Sequence, residues 1–212
     1  ADVFESLPDI PRLFTALAEW GAALVYVFVV ARSASSNALN PNAAIPRWRL
    51  AVAAVGGLVV LAGAQELLGR APLSLWVPGM MMAYALMWCV IRVGTALDWR
   101  WVTHMSARAF IVAELAASLA WQVVVYSHSD KPYWPPLSFG GFAAIAATCL
   151  AVVYFFERRI YRQGALPILR FADLASGVLI GIAIFALSNL SFISTATPFS
   201  GRAGLEVFYI RT

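Results

Sequence analysis

Six long apolar segments constrain the fold of this chain more than any other feature of its sequence. Each is long enough to cross a hydrocarbon core of about 30 Å as a helix that rises about 1.5 Å per residue. Hydrophobic residues make up 61% of the 212 residues and charged residues 12%, more apolar surface than a water-soluble domain of this size can bury. The sequence therefore predicts an all-α, polytopic transmembrane helical bundle that forms a single domain over residues 1–212.

Segments rich in proline, serine and charged residues separate the predicted spans, for example "SASSNALNPNAAIP" after the first and "SDKPYWPPLS" after the fourth. The spans are predicted near residues 12–31, 49–69, 73–93, 102–127, 139–156 and 171–193. After the sixth, "LEVFYIRT" begins like a further apolar helix. It is expected either to start a seventh crossing or to lie as a short amphipathic tail on the membrane surface.

Arginine is distributed unevenly between the two sides of the predicted membrane. Loops one, three and five hold Arg32, Arg47, Arg49, Arg92, Arg100, Arg158, Arg159, Arg162 and Arg170. The N-terminal segment and the even loops hold Arg12, Arg70 and Lys131 together with acidic residues. Because basic loops stay in the cytoplasm, we expect loops one, three and five inside and the N-terminus outside. The same argument assigns the net charge of +4 to membrane orientation, and we predict no nucleic-acid partner.

The fourth span carries two formal charges, Arg108 and Glu114, inside an otherwise apolar run. An Arg, Asp or Glu at the centre of a membrane helix costs about 2.5–3.5 kcal/mol on insertion scales. Helix neighbours are three or four residues apart, so a separation of six does not pair these two side chains. Each therefore needs a partner on another helix, or water. For Arg108 the depth of the residues predicts pairing with Asp173 at the start of the sixth span.

Glu114, Trp121 and Gln122 recur along one stripe of the fourth span, and Glu19 on the first span lies at a depth near that of Gln122. Gln65 and Glu66 are expected near the outer end of the second span, where they reach the lipid headgroups. Two interpretations remain open. The charges either act as interhelical contacts that fix the bundle, or they line a polar pocket for an extracellular or membrane-borne ligand and carry a signal.

Motifs for catalysis and for cofactor or metal binding are absent from the sequence. It contains no Gly-rich phosphate loop, no HExxH and no nucleophile elbow. Cys89 and Cys149 lie in apolar runs, which is typical of inert packing thiols, and the two histidines are too few for a cytochrome-type haem site. We therefore predict no catalytic residues, no metal and no cofactor.

Three stretches of the chain resemble the membrane sensor region of bacterial sensor histidine kinases with a GHKL-type ATP-binding domain. These are "DIPRLFTALAEWGAALVYV", "SARAFIVAELAASLAWQ", and "ALSNLSFISTATPFSG" with "EVFYIRT"; they occur in the same order and cover about a third of the chain. The resemblance implies a multi-pass protein of the bacterial inner membrane and, as a possible assembly, a homodimer. It also implies a further helix and a cytoplasmic kinase domain that this chain does not include.

On that resemblance, the chain is a sensor and signal-transducing domain, with Glu19, Glu114, Trp121 and Gln122 as the ligand-binding or signalling residues. Neither His104 nor His128 fits the phospho-acceptor histidine of such kinases. The alternative is a complete small membrane subunit or carrier that binds a partner protein or a lipophilic solute.

Overall fold

The computed structural model describes residues 11–36, 45–71, 75–127, 135–161 and 169–193, which are almost entirely helical. The helices are α1 (Arg12–Ser36), α2 (Arg47–Arg70), α3 (Trp76–Thr95), α4 (Trp99–Ser127), α5 (Pro135–Ile160) and α6 (Phe171–Ile193). Each predicted span coincides with one of these helices, which confirms the all-α bundle. The segment "LEVFYIRT" lies outside the described residues.

The helices run alternately up and down, so the bundle has two ends that can be named by their contacts. At the Phe14 end, the ring of Phe14 on α1 stacks on that of Phe142 on α5, with centroids 4.3 Å apart. At the Tyr161 end, the Ser33 hydroxyl of α1 donates a hydrogen bond of 2.9 Å to the carbonyl oxygen of Tyr161, directly after α5. Neighbouring helices therefore place residues far apart in sequence at the same depth.

Helix α1 is the centre of the bundle, because it packs against α2, α3, α4 and α5, while α6 packs against α4. Glycine allows one of these close approaches. A Cβ atom added to Gly94 on α3 would lie 2.7 Å from both γ-carbons of Val27 on α1 and 3.1 Å from the Cβ of Ala53 on α2. Small residues at such crossings let membrane helices pack closely.

Helix α2 contains a π-helical turn at Val52–Gly56, where α1 makes a polar contact with its backbone. The indole Nε1 of Trp20 donates a hydrogen bond of 2.7 Å to the carbonyl oxygen of Ala54. An indole N–H buried in an apolar bundle needs an acceptor, and π turns leave local irregularities in the helical hydrogen-bond ladder. The contact therefore ties α1 to the first half of α2.

Two acidic residues define helix starts at the Tyr161 end. Asp98 precedes α4, and its carboxylate accepts a hydrogen bond of 3.3 Å from the backbone N–H of Arg100. Asp173 lies in the first turn of α6, and its carboxylate accepts one of 3.1 Å from the backbone N–H of Arg170. Such caps satisfy N–H groups that a helix leaves without partners.

The outer surface of the bundle is apolar over much of its length. Val59, Leu67 and Met81 are among the large hydrophobic side chains that are more than half exposed. Four of the helices, α1, α2, α3 and α5, are long and apolar enough to cross a membrane, and α6 is apolar over Phe171–Ile184. A surface of this kind is suited to lipid. The fold is thus a helical bundle of the membrane type.

Candidate functional site

The first polar cluster joins three helices near the Tyr161 end and is called here the ion-pair cluster. It consists of Tyr26 on α1, Arg108 on α4 and Glu157 on α5. The guanidinium Nη2 of Arg108 forms a salt bridge with the Oε1 of Glu157, and the Tyr26 hydroxyl donates a hydrogen bond of 3.1 Å to the same oxygen. Glu157 is buried, with 3% of its surface exposed. A buried carboxylate is stabilised when a cation and a hydroxyl both reach it.

The predicted pairing of Arg108 with Asp173 is replaced in the structure by the pairing with Glu157. Asp173 is exposed and caps α6 through the backbone N–H of Arg170. The residue of α4 that packs beside α6 at this level is His104, whose Nδ1 lies 3.5 Å from the Cβ position of Gly177. Asp173 precedes Gly177 and Arg108 follows His104, so Asp173 lies nearer the Tyr161 end than Arg108 does, and the predicted match in depth was wrong.

Glu157 was missed because the fifth span was expected to end at residue 156, with Glu157 in the following basic loop. Helix α5 instead continues to Ile160. The inward face of this helix contains Phe142 and Ala146, which are buried, and Val153, which is partly buried. Glu157 follows Val153 by four residues, so it lies on the same face. That spacing is a signal from which the inward position of Glu157 could have been predicted.

The second polar cluster lies closer to the Phe14 end and is called here the carboxyl–amide cluster. It consists of Glu19 on α1, Gln65 on α2 and Glu114 on α4. The amide Nε2 of Gln65 donates a hydrogen bond of 2.7 Å to the Oε1 of Glu19. Glu19 is 1% and Gln65 0% exposed. The half-buried Glu114 lies at the level of Glu19, because α1 and α4 meet through Phe14 and Trp121 on one side of it and near Arg108 on the other. The structure thus brings together two of the predicted site residues, Glu19 and Glu114.

Gln65 and Glu66 were both expected to reach lipid headgroups, and the structure separates them. Gln65 is fully buried against α1, whereas Glu66 is exposed and pairs with Arg70 at 2.9 Å. The buried residues of this half of α2 include Gly57, Leu61, Ala64 and Leu68. Gln65 falls on that face, four residues after Leu61, and this spacing could have identified it as an inward residue.

Trp121 and Gln122, the other two predicted site residues, lie about two turns beyond Glu114 on α4. The Trp121 ring is buried and meets the Phe14 ring edge to face, with centroids 6.0 Å apart. It belongs to the apolar cluster with Phe142 at the Phe14 end. Gln122 is half-buried and makes an interaction of its own. The Trp121 ring therefore packs within the aromatic group at this end of the bundle, and its predicted role in ligand binding or signalling stays a prediction.

The two clusters differ in how completely their polar atoms are used. In the carboxyl–amide cluster, two buried oxygen atoms have no hydrogen-bond partner among the described residues: the Glu19 Oε2 and the Gln65 Oε1. In the ion-pair cluster, one buried oxygen atom, the Glu157 Oε2, has no such partner. An unsatisfied buried polar group costs about 1–3 kcal/mol. The described residues contain no group of three or more His, Cys, Asp or Glu side chains able to hold a metal ion.

Both clusters use α1 and α4, and each adds a third helix. On α1, Glu19 and Tyr26 are seven residues apart, or about 10 Å along the helix axis. On α4, Glu114 and Arg108 are six residues apart, or about 9 Å. The matching separations place the two clusters one above the other along the same helix pair.

No family model, curated protein or solved structure matches this chain.

Proposed function

We propose that this chain is the membrane sensor region of a two-component histidine kinase. It detects an extracellular or membrane-borne signal and passes it to a cytoplasmic kinase domain outside these 212 residues. The observation that carries the proposal is the pair of polar clusters stacked on α1 and α4. The resemblance of three sequence stretches to sensor kinases supports the same assignment.

Signal transfer in this proposal depends on the geometry of the two helices that both clusters share. A change at Glu19, Gln65 and Glu114 alters how α1 and α4 meet near the Phe14 end. The same two helices meet again at Tyr26 and Arg108, so a tilt at one level changes the contact at the other. Packed helices with discrete polar contacts are the kind of two-state element that can transmit such a change.

The orientation that we propose puts the Tyr161 end in the cytoplasm, because the arginine-rich connections lie at that end. Arg49, at the same end, donates a hydrogen bond of 2.8 Å to the carbonyl oxygen of Val93. Six crossings of the bacterial inner membrane, with the N-terminus outside, follow from this orientation. The remaining partners are the lipid bilayer, the signal ligand and a second copy of the chain in a homodimer.

The first experiment determines the intact mass of the native gene product and asks whether membranes containing it incorporate phosphate from ATP on histidine. We expect a mass roughly twice that of this chain, as a kinase domain of ordinary size requires, together with phosphorylation. A native product that ends with this chain and takes up no phosphate would overturn the proposal.

The second experiment compares variants of the full-length product. Glu114→Gln keeps the shape of the side chain and should preserve folding while it alters the level of phosphorylation. Glu66→Gln removes a carboxylate on the exposed face of α2 and is the matched control. Unchanged phosphorylation and unchanged stability in Glu114→Gln would remove Glu114 from the mechanism.

A groove between α1 and α5 favours a second candidate, a small membrane subunit or carrier for a lipophilic solute. It has a volume of about 590 Å³ and is lined by apolar residues, among them Phe28, Leu150 and Tyr154, with Arg32 at one end. A groove of this size and character suits an acyl chain or a similar molecule. Transport of a lipophilic solute into liposomes that contain the protein, abolished by Ala151→Phe at the exposed wall of the groove, would favour this candidate.

A further inference from the structure

Two buried oxygen atoms without partners belong to the same hydrogen-bonded pair of side chains. The Gln65 amide gives one N–H to the Glu19 Oε1. The atoms left over are the other carboxyl oxygen of Glu19, Oε2, and the amide oxygen of Gln65, Oε1. Both are acceptors, and among the described residues neither receives a hydrogen bond.

A flip of the Gln65 amide, which exchanges its oxygen and nitrogen, does not give these two oxygen atoms hydrogen-bond partners. A flipped Gln65 would turn its oxygen toward the Glu19 Oε1 and would replace an N–H···O bond of 2.7 Å with a contact between two acceptors. A proton on the Glu19 Oε2 would let both unpartnered oxygen atoms take part in one hydrogen bond. A carboxylic acid can donate its O–H to the Gln65 Oε1 while its other oxygen accepts the amide N–H. The two side chains then form a reciprocal pair with two hydrogen bonds.

The described polar groups around Glu19 come from the helices that pack against α1. Helix α2 contributes the Gln65 amide, and α4 contributes the acid Glu114, which lies at the level of Glu19 between the contacts of α1 with α4 at the two ends of the bundle. From α3, Tyr84 packs against the adjoining apolar core. Glu157 on α5 lies at the level of Tyr26, about 10 Å along α1, where it is already bound to Arg108.

Arginine from α1 itself lies further toward the Phe14 end. Arg12 precedes Glu19 by seven residues, about 10 Å along the helix axis. The Cγ of Arg12 packs 2.9 Å from the Cβ position of Gly69 on α2. The immediate surroundings of the Glu19 carboxyl are therefore an amide, an acid and apolar side chains. An isolated carboxylate in such surroundings is costly, and the group neutralises instead.

We propose that Glu19 and Gln65 form a proton-binding site within the bundle, in which the bound proton lies between the Glu19 Oε2 and the Gln65 Oε1. Binding converts the Glu19 carboxylate and one proton from water into a carboxylic acid, and release reverses the step. Release leaves the Gln65 Oε1 without a donor and puts a negative charge on Glu19 at the level of Glu114, so the contact between α1 and α2 loosens. That the proton is the signal rests on the proposed function, whereas the site itself rests on the contacts alone.

Infrared spectroscopy of the full chain in lipid nanodiscs tests the site directly at neutral pH. The wild type should show the C=O stretch of a protonated carboxyl, Glu19→Gln should lose that band, and Gln65→Leu should shift it to the frequency of an acid without an amide partner. Glu66→Gln, which removes an exposed carboxylate, should leave the band unchanged. The proposal would be overturned if the spectra of the wild type and Glu19→Gln showed the same protonated-carboxyl band. It would also be overturned if Gln65→Leu left the frequency of that band unchanged.

Phosphorylation of the full-length product separates this proposal from the proposed function. Loss of the band in Glu19→Gln supports the proton site whatever the level of phosphorylation in that variant. Phosphorylation equal to that of the wild type would overturn the signalling role of the proton but not the site. Altered phosphorylation without a Glu19-dependent band overturns the proton site and leaves the sensor function standing.

Discussion

The ion-pair cluster and the carboxyl–amide cluster are built on the same two helices, yet they handle buried charge in opposite ways. In the first, the Glu157 carboxylate meets a cation and a hydroxyl from two other helices. In the second, Glu19 accepts a hydrogen bond from the Gln65 amide, and the nearest level of α4 contributes another acid, Glu114. The first arrangement balances its charges within the bundle, whereas the second becomes neutral when a proton binds.

This difference predicts distinct roles for the two ends of the helix pair. A salt bridge inside an apolar bundle can be broken only at a large cost, because the remaining charge stays buried. A carboxyl group that can take up or release one proton can change its state reversibly. We therefore expect the ion-pair cluster to hold α1, α4 and α5 together, and the carboxyl–amide cluster to be the part that responds.

Removal of the Glu157 side chain should give the largest effect, because it leaves the charge of Arg108 without its partner. The loss of one partner of a buried ion pair costs about 3–5 kcal/mol. The Arg108 side chain is 38% exposed, so we expect the lower end of that range for Glu157→Ala in the free energy of unfolding, measured by SDS titration. Glu66→Ala breaks an exposed pair with Arg70 and should cost no more than about 1 kcal/mol. Equal losses in the two variants would contradict a structural role for the ion pair.

A methyl group at Gly94 should give the next largest effect, since its Cβ would lie 2.7 Å from both γ-carbons of Val27, the neighbour of Tyr26. Overpacking of this kind costs about 1–3 kcal/mol, and we expect Gly94→Ala to lower the free energy of unfolding. Gly63→Ala is the matched control, because no heavy atom lies within 4 Å of its Cβ position. There the better helix propensity of alanine should leave stability unchanged or raise it by up to about 1 kcal/mol. Similar losses at both positions would show that close packing at Gly94 is unimportant.

Trp20→Phe should have a smaller effect beside the carboxyl–amide cluster. It removes the indole N–H that binds the Ala54 carbonyl at 2.7 Å but keeps an aromatic ring, so we expect a loss of about 1 kcal/mol. Trp48→Phe, at an exposed tryptophan, is the control and should have no measurable effect. A loss as large as that of Glu157→Ala would mean that the carboxyl–amide end is also held rigidly.

Glu19→Gln should have the smallest effect on stability of the variants considered. Two amides can form the same reciprocal pair of hydrogen bonds as an acid and an amide, so the expected change in the free energy of unfolding is less than about 1 kcal/mol. The measurement is the same SDS titration, with Glu157→Gln at the ion-pair cluster for comparison. A loss of several kcal/mol in Glu19→Gln would indicate a charged carboxylate at this position.

The helices themselves could be predicted from the sequence, because a membrane leaves few alternatives for an apolar chain. The predicted span 12–31 corresponds to α1 and 171–193 to α6. The boundary difference that affected the candidate site was at the end of α5, which was predicted at residue 156 because "ERR" looks like the start of a basic loop. A charged residue can continue a helix when its side chain finds a partner, and Glu157 finds Arg108.

The choice of partners between helices was harder to predict. Sequence spacing showed that Arg108 and Glu114 could not neutralise each other, and that each needed another helix. It could not show which helices are neighbours, and an error in the depth assigned to Asp173 was enough to select it in place of Glu157. Glu19 and Glu114 were predicted as site residues from their depth and polarity, whereas the bond from Gln65 depends on α1 and α2 being adjacent, which only the fold supplies.

Double-mutant cycles for the two pairs test the central contrast most directly. In the first cycle, the coupling free energy is measured from Glu157→Leu, Arg108→Met and the double variant. In the second cycle, it is measured from Glu19→Leu, Gln65→Leu and the double variant. We predict a coupling of about 3 kcal/mol for Arg108 with Glu157, and about 1–2 kcal/mol, the contribution of two neutral hydrogen bonds, for Glu19 with Gln65. Equal couplings, or a stronger one at Glu19 and Gln65, would contradict the assignment of a fixed end and a responsive end to this bundle.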